Sequence, residues 1–400
     1  MRFRTKIDWA MVYLFFCVMP YLKPYNVTLI PWADNIFKLW KVLASLCILL
    51  TFIKGKPTFH RKSIYLIIFC AIWMISLVLN NGPVGDYFNN ILSIIGITLL
   101  FEKGYKNSKF KSNITLLIYE IGAIYMLLTL ITAIQTYPFF AYGMKLADNA
   151  NFLGGDNYSA FILIVLCGCM FFYDEKYKRK IRKRTWLFSL LGLVSLIIPC
   201  AVTGILSYSL LLLVIVLRKY PGIRKLFKWK YMVLICLLVV LAISYFGLDA
   251  ILAKILNSMD KTGFNGRNMI WPMTISAIVN KPLLGYGGLT EAQAQTWMIA
   301  GANHAHNILL QYPFSVGIVG TMFFVLYVMG VLNGTKRKCN KHIWILMTCL
   351  SAFVFCSIFD FYIGLIYFYL LLEMIWIHKD SDVKEKNDEE KRCMCSYSNI

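Results

Sequence analysis

The chain has 400 residues, 59% of them hydrophobic, with 41 Lys and Arg against 20 Asp and Glu. A membrane-crossing helix takes roughly 20 apolar residues to span about 30 Å of hydrocarbon, so this composition excludes a water-soluble globular enzyme and could fill on the order of a dozen spans. The net charge of +21 would point to nucleic acid in a soluble protein, but short cytoplasmic loops collect Lys and Arg for reasons of insertion alone.

In chain order, apolar runs punctuated by charge predict twelve helical spans at 8–22, 36–53, 63–80, 87–101, 113–136, 157–173, 186–202, 203–217, 231–247, 306–332, 343–359 and 361–377. The first run is kept as a span, because Pro20-Tyr21-Leu22-Lys23-Pro24 offers no small-residue cleavage site. Counted on alternate sides of these spans, 33 of the 41 Lys and Arg fall on one side. The positive-inside rule makes that side, and both termini, cytoplasmic, and the basic charge then needs no nucleic-acid partner. The expected fold is an all-α polytopic membrane protein of the cytoplasmic membrane, with about twelve transmembrane helices and one large extracytoplasmic loop before the tenth. It divides into nine spans over 1–247, the loop at 248–305, three spans over 306–377 and a charged tail at 378–400. The tail, with Asp388-Glu389-Glu390-Lys391-Arg392, has the composition of a disordered segment.

Segment 248–305 departs from the other loops, most of which are around ten residues long. It carries Trp271, Tyr286, Trp297, an amphipathic piece from Asn268 to Val279 and the turn Gly285-Tyr286-Gly287-Gly288, and is read as a folded cap with short helices on the membrane surface. A second outer segment, 137–156, holds Asp148, Asn149, Asn151 and the turn Gly154-Gly155-Asp156-Asn157. Nine of the twelve cysteines lie in apolar runs, where Cys behaves as a small hydrophobe. Cys339, Cys393 and Cys395 fall in polar stretches assigned to the cytoplasm, and no spacing resembles a metal site. No internal repeat is visible.

Of five histidines, His60, His342 and His378 fall near the cytoplasmic boundary, which leaves His304 and His306 at the outer face. Imidazole accepts a proton near neutral pH, and Arg267, on the same face, offers a planar fork of donors suited to phosphate. Taken singly, a His-x-His at a loop end and an arginine in a polar loop are most often solvated surface. Trp271, Tyr286 and Trp297 could stack on sugar rings, although aromatics are enriched at membrane interfaces for their own sake. Two carboxylates fall inside apolar runs, Glu120 and Glu373. Both stand near a cytoplasmic boundary, so snorkelling is expected of them rather than a proton relay. Asp360, in the short outer turn between the last two runs, stands where it can face the cap.

In order, Gly266-Arg267, Asn280-Lys281-Pro282-Leu283-Leu284-Gly285-Tyr286-Gly287 and Ala305-His306-Asn307 resemble the motifs of the O-antigen ligase and polysaccharide polymerase superfamily. The likeness covers residues 263–320 well and the rest by topology; Gly154-Gly155-Asp156-Asn157-Tyr158 is a weaker echo. The resemblance implies a transfer at the outer leaflet, in which a sugar hydroxyl attacks the anomeric carbon of a saccharide carried on undecaprenyl pyrophosphate. His306 would then be the base and Arg267 the group that stabilises the departing pyrophosphate. His304 would be the fallback base, and Asn307 would orient His306, bind substrate or cap a helix. Trp271 and Tyr286 would complete the substrate site, and no metal or other cofactor is called for. Many members also carry a Ser-Arg pair between two central spans; here that neighbourhood reads Ala201-Val202-Thr203-Gly204-Ile205-Leu206. Either another cation, such as Lys145, Lys254, Lys261 or Lys281, supplies the second positive charge, or the chain departs from the family in mechanism.

The expectation is a metal-independent polymerase joining lipid-linked repeat units of a capsule, O-antigen or exopolysaccharide, with a chain-length regulator or flippase as protein partner. A ligase would use the same residues with a different acceptor. A transporter or lipid-oligosaccharide flippase would instead show pseudo-symmetry, broken helices and charges near the midplane. A structural partner in an envelope assembly is the remaining alternative.

Overall fold

The computed structural model describes residues 8–55, 59–136, 151–220, 222–223, 228–246, 266–297, 302–333 and 342–379. Among these there are helices and turns and no strand. They are α1 Trp9–Val18, α2 Pro31–Lys54, α3 Arg61–Leu79, α4 Val84–Gly104, α5 Ser108–Thr136, α6 Asp156–Tyr173, α7 Lys183–Ile197, α8 Val202–Val216, α9 Trp229–Phe246, α10 Arg267–Asn280, α11 Glu291–Trp297, α12 Ile308–Leu332, α13 Ile343–Cys356 and α14 Ile366–His378. Each of the twelve apolar runs falls on one of these helices. Six of them (α2 to α5, α6 with the π turn that follows it, and α12) are long and apolar enough to cross a membrane. The other six are shorter, 10–18 residues.

Burial sorts the helices into layers. Every residue of α14 is buried, as befits a helix that is apolar all round and packed on all sides. It contacts α4, α6, α12 and α13. By contrast α2 exposes Leu39, Leu43, Leu46 and Leu50, the outward apolar surface that a lipid-facing helix presents. Small residues let the inner helices approach: a Cβ on Gly168 of α6 would overlap Cys349 of α13, the close backbone contact that replaces the hydrophobic drive in lipid. All nine cysteines in the described residues are free, seven of them buried. Cys339, Cys393 and Cys395 lie outside the described residues, as does the tail beyond Lys379.

Of the two intrahelical carboxylates, Glu120 is about half exposed and pairs with Arg184. Snorkelling fails for Glu373, which is fully buried and accepts two hydrogen bonds from Lys62 Nζ at 2.8 and 2.5 Å, one from Tyr327 at 3.1 Å and a longer one from Thr98. Lys62 also lies 3.5 Å from Glu102 and 3.7 Å from the centre of the Trp376 ring. Because α14 is enclosed on every side, Glu373 has no route to the interface, and its charge is met by a partner inside.

α12 is broken. Gly317 adopts φ 63° and ψ −171°, a region that essentially only glycine enters. The freed backbone groups are met by the Pro-Leu-Leu-Gly-Tyr-Gly run, whose Gly285-Tyr286-Gly287 part is buried against α3 and α12 while Pro282 and Leu283 stay exposed. Tyr286 N donates to Phe314 O at 2.8 Å, Gly287 N to Ser315 O at 2.7 Å and Ile318 N to Pro282 O at 2.7 Å. From α3, Trp73 Nε1 donates to Gly287 O and Ser76 Oγ to Ser315 O. Irregular backbone at membrane depth is tolerated where protein satisfies it in this way. A broken helix was expected of a transporter; here the break is packed with the chain's own backbone. Gly317→Ala would set a Cβ against the Leu283 carbonyl and force a strained φ. The expected cost is about 1–3 kcal/mol, read as a lower unfolding temperature in detergent with the α3 to α12 seam as the first region to exchange amide hydrogens.

Candidate active site

Three segments converge at one end of the bundle: the start of α10, residues 302–307 ahead of α12, and the turn 357–365 between α13 and α14. Asn307 joins two of them. It is fully buried and caps α12, its Oδ1 accepting from Leu309 N at 2.8 Å and Leu310 N at 3.4 Å, while its Nδ2 donates to Ile358 O at 2.8 Å. Ile308 N donates to Ser357 O at 3.1 Å, a second tie to the turn. With its amide engaged in this way, Asn307 is a positioning residue. His306, immediately before the cap, takes a left-handed φ of 51°, a region that histidine enters more readily than most side chains.

That conformation aims His306 at Asp360. His306 Nδ1 lies 3.1 Å and His304 Nε2 3.2 Å from the same oxygen, Asp360 Oδ1. The two imidazole centroids are 3.8 Å apart, and His304 also packs on Tyr362 at 4.5 Å. Arg267 opens α10 just after Gly266, whose φ of 77° turns the chain into the helix. Its Nε donates to Phe359 O at 2.7 Å, which sets the guanidinium beside Asp360. Thus His304, His306 and Arg267, read separately in the sequence, form one cluster, and Asp360 is its hub.

Burial sets the electrostatics. Desolvation pushes the His306 imidazole below its ordinary value, against the opposing pull of its Asp360 hydrogen bond, so His306 is unprotonated at neutral pH. Burial alone would raise the Asp360 carboxyl, but the hydrogen bonds from both histidines outweigh it and hold Asp360 well below the usual carboxylate range. Desolvation lowers Arg267 while Asp360 opposes, and the guanidinium stays cationic. With an ionised Asp360 accepting at Nδ1, the proton of neutral His306 sits on Nδ1 and the lone pair on Nε2. The arrangement can accept one proton at Nε2 and stabilise negative charge at Arg267. The ligand atoms of His304, His306 and Asp360 also lie within 4.8 Å of one another, a grouping able to hold a metal ion.

The two aromatics are placed differently. Trp271 is fully buried, donates from Nε1 to Ala305 O at 3.0 Å and stacks at 6.4 Å on Phe359; it supports the backbone of the His-x-His segment from behind. Tyr286, which follows the other end of α10 from Arg267, is 3% exposed and stacks on Phe314 at 5.2 Å. Trp297 closes α11. Lys281 contacts Asn80 and lies over the Tyr286 ring at 4.7 Å, about 20 Å of helix away from Arg267 at 1.5 Å per residue. It does not join the cluster; Lys145, Lys254 and Lys261, like Asp148 and Asn149, lie outside the described residues.

A buried imidazole oriented by a carboxylate, with an arginine beside it, is an arrangement able to accept a proton and to hold negative charge at one end of a bundle of apolar helices. Residues 200–325 match the model of the O-antigen ligase family. That stretch, about a third of the chain, contains Arg267, the Pro-Leu-Leu-Gly-Tyr-Gly run, His304, His306 and the break at Gly317, the residues that carry the resemblance to the ligase and polymerase superfamily. The helices long and apolar enough to cross a membrane, together with this match, make the protein a multi-pass membrane protein. No curated protein matches the chain. Asp360 lies beyond the matched residues, and its part in the cluster could be found in the sequence only as a lone carboxylate in an outer turn.

Proposed function

We propose that the chain is a polysaccharide polymerase that joins undecaprenyl-pyrophosphate-linked repeat units at the outer leaflet of the cytoplasmic membrane. His306 Nε2 takes the proton from the attacking sugar hydroxyl as the oxygen bonds to the anomeric carbon. The bond from that carbon to the pyrophosphate breaks, and Arg267 stabilises the charge that gathers on the leaving group. Asp360 holds the His306 tautomer and stabilises the imidazolium that forms. Proton transfer and guanidinium stabilisation account for the reaction without a metal. The observation that carries the reading is the Asp360 hydrogen bond to His306 Nδ1, which leaves Nε2 as the basic atom in a cluster shared with Arg267.

The distribution of Lys and Arg supports an extracytoplasmic position for the cluster, since Asp360 and His306 stand at the end of α12 and α14 opposite the basic loops. Transfer of a finished glycan to another acceptor uses the same atoms, and the family match favours keeping that second reading. The test is reconstitution of the purified protein with lipid-linked repeat units facing outward. Chain extension supports the polymerase; transfer only to an added lipid acceptor supports the ligase; translocation without bond formation would remove both.

A further inference from the structure

The His304, His306 and Asp360 grouping does more than orient a base. A tetrahedral zinc ion bound through two imidazole nitrogens and a carboxylate oxygen, at about 2.0–2.2 Å from each, sets those atoms about 3.3 Å apart along the edges of the tetrahedron. The two nitrogen-to-oxygen edges here are 3.1 and 3.2 Å; the third edge, between the two imidazole nitrogens, is bounded only at 4.8 Å, and the rings would draw together by up to about 1.5 Å to close on an ion. The ligands come from two segments already fastened together by Asn307 and by the Ile308 to Ser357 hydrogen bond, so little ordering remains to be done on binding. Two imidazoles and a single carboxylate favour zinc-type ions over Mg²⁺ or Ca²⁺, which take oxygen-rich sets.

We propose that His304, His306 and Asp360 form a binding site for a divalent transition metal of the zinc type, and that its occupation switches the enzyme off. The switch rests on His306 being the base. A metal bound at Nδ1 uses the only lone pair that a neutral imidazole can offer besides Nε2. The remaining ring proton then sits on Nε2, and the atom that should accept the sugar proton becomes a donor. Metal binding thus exchanges the tautomer that Asp360 enforces for the unreactive one, with no net loss of a proton from the ring. Arg267, held beside Asp360, opposes the incoming cation, which keeps the site open when the metal is scarce.

The test uses the full-length protein in detergent, stripped with EDTA and titrated with Zn²⁺, and with Co²⁺ for its visible spectrum. One ion per chain is expected, with the absorption of low-coordinate Co²⁺. His304→Ala and Asp360→Asn should each weaken binding by at least about tenfold, whereas Arg267→Ala should bind as well or more tightly. Chain extension by the EDTA-treated protein should persist, stop on adding Zn²⁺ and be unaffected by Mg²⁺. Absence of stoichiometric binding, or binding unchanged in both His304→Ala and Asp360→Asn, overturns the site and leaves His306 as base untouched. Zn²⁺ bound at the triad with chain extension intact overturns the switch and the assignment of the base together. Loss of activity on EDTA treatment, restored by Zn²⁺, overturns inhibition in favour of a required ion.

Discussion

His306→Ala is expected to lower chain extension by about 10²–10⁴-fold, the range that a positioned general base contributes. Single lipid-linked units should accumulate and the ladder of longer products should vanish. Arg267→Ala should give the same pattern, because the charge it stabilises develops only as the pyrophosphate departs. Asp360→Asn is the sharper experiment. It keeps the size of the side chain but removes the fixed acceptor at His306 Nδ1, so the ring can adopt the tautomer with its proton on Nε2; the expected loss approaches ~10⁴-fold. His304→Ala should cost less than His306→Ala, since His304 reaches the same Asp360 oxygen without the left-handed backbone that presents His306. Long-chain product from purified His306→Ala and Arg267→Ala proteins would dismiss the site assignment.

The helices were legible in the sequence because lipid enforces one rule over long stretches, and every apolar run between charged boundaries became a helix. Within the cap, Arg267, His304 and His306 could be read because their chemistry is rare on that face and their order matches a family. What escaped was set by packing across long separations. Trp271 and Tyr286 have the amphipathic character of sugar-stacking residues, but whether a ring faces a ligand or a neighbour depends on Phe359 and Phe314, 88 and 28 residues further on. Asp360 was visible only as a carboxylate in a turn, and nothing local tells that the Asn307 amide draws that turn against the histidines. The purpose of Gly285, Gly287 and Gly317 was hidden for the same reason: Gly285 and Gly317 permit a backbone contact with each other's segments, some thirty residues apart, and Gly287 lies against the α3 backbone at Leu77, 210 residues earlier.

Glu373 shows where composition misleads, and it carries the second large effect. A carboxylate four residues from the end of an apolar run reads as one that reaches for water, yet α14 lies at the centre of the bundle and Glu373 is sealed there with Glu102 and Lys62. Lys62 thus serves two buried acids at once, with His60 meeting Glu102 at 2.6 Å from the more exposed side. Removing one member of a buried ion pair leaves an uncompensated charge, which costs about 3–5 kcal/mol. Lys62→Met is therefore expected to destabilise the protein by that amount, seen as a fall in the temperature at which the detergent-solubilised chain loses its monodisperse peak. The pair itself need not be worth as much, because two well-packed neutral groups can replace an ion pair at little or no cost. Glu373→Gln added to Lys62→Met should then recover much of the loss, whereas Glu120→Gln, which touches only the exposed pair with Arg184, should recover none. Equal instability of the single and double variants would mean that Lys62 acts through its packing on Trp376 rather than through its charge. In either event α3 and α14 separate at this end first, so the damage should appear as loss of folded protein before any change in the turnover of the molecules that remain intact.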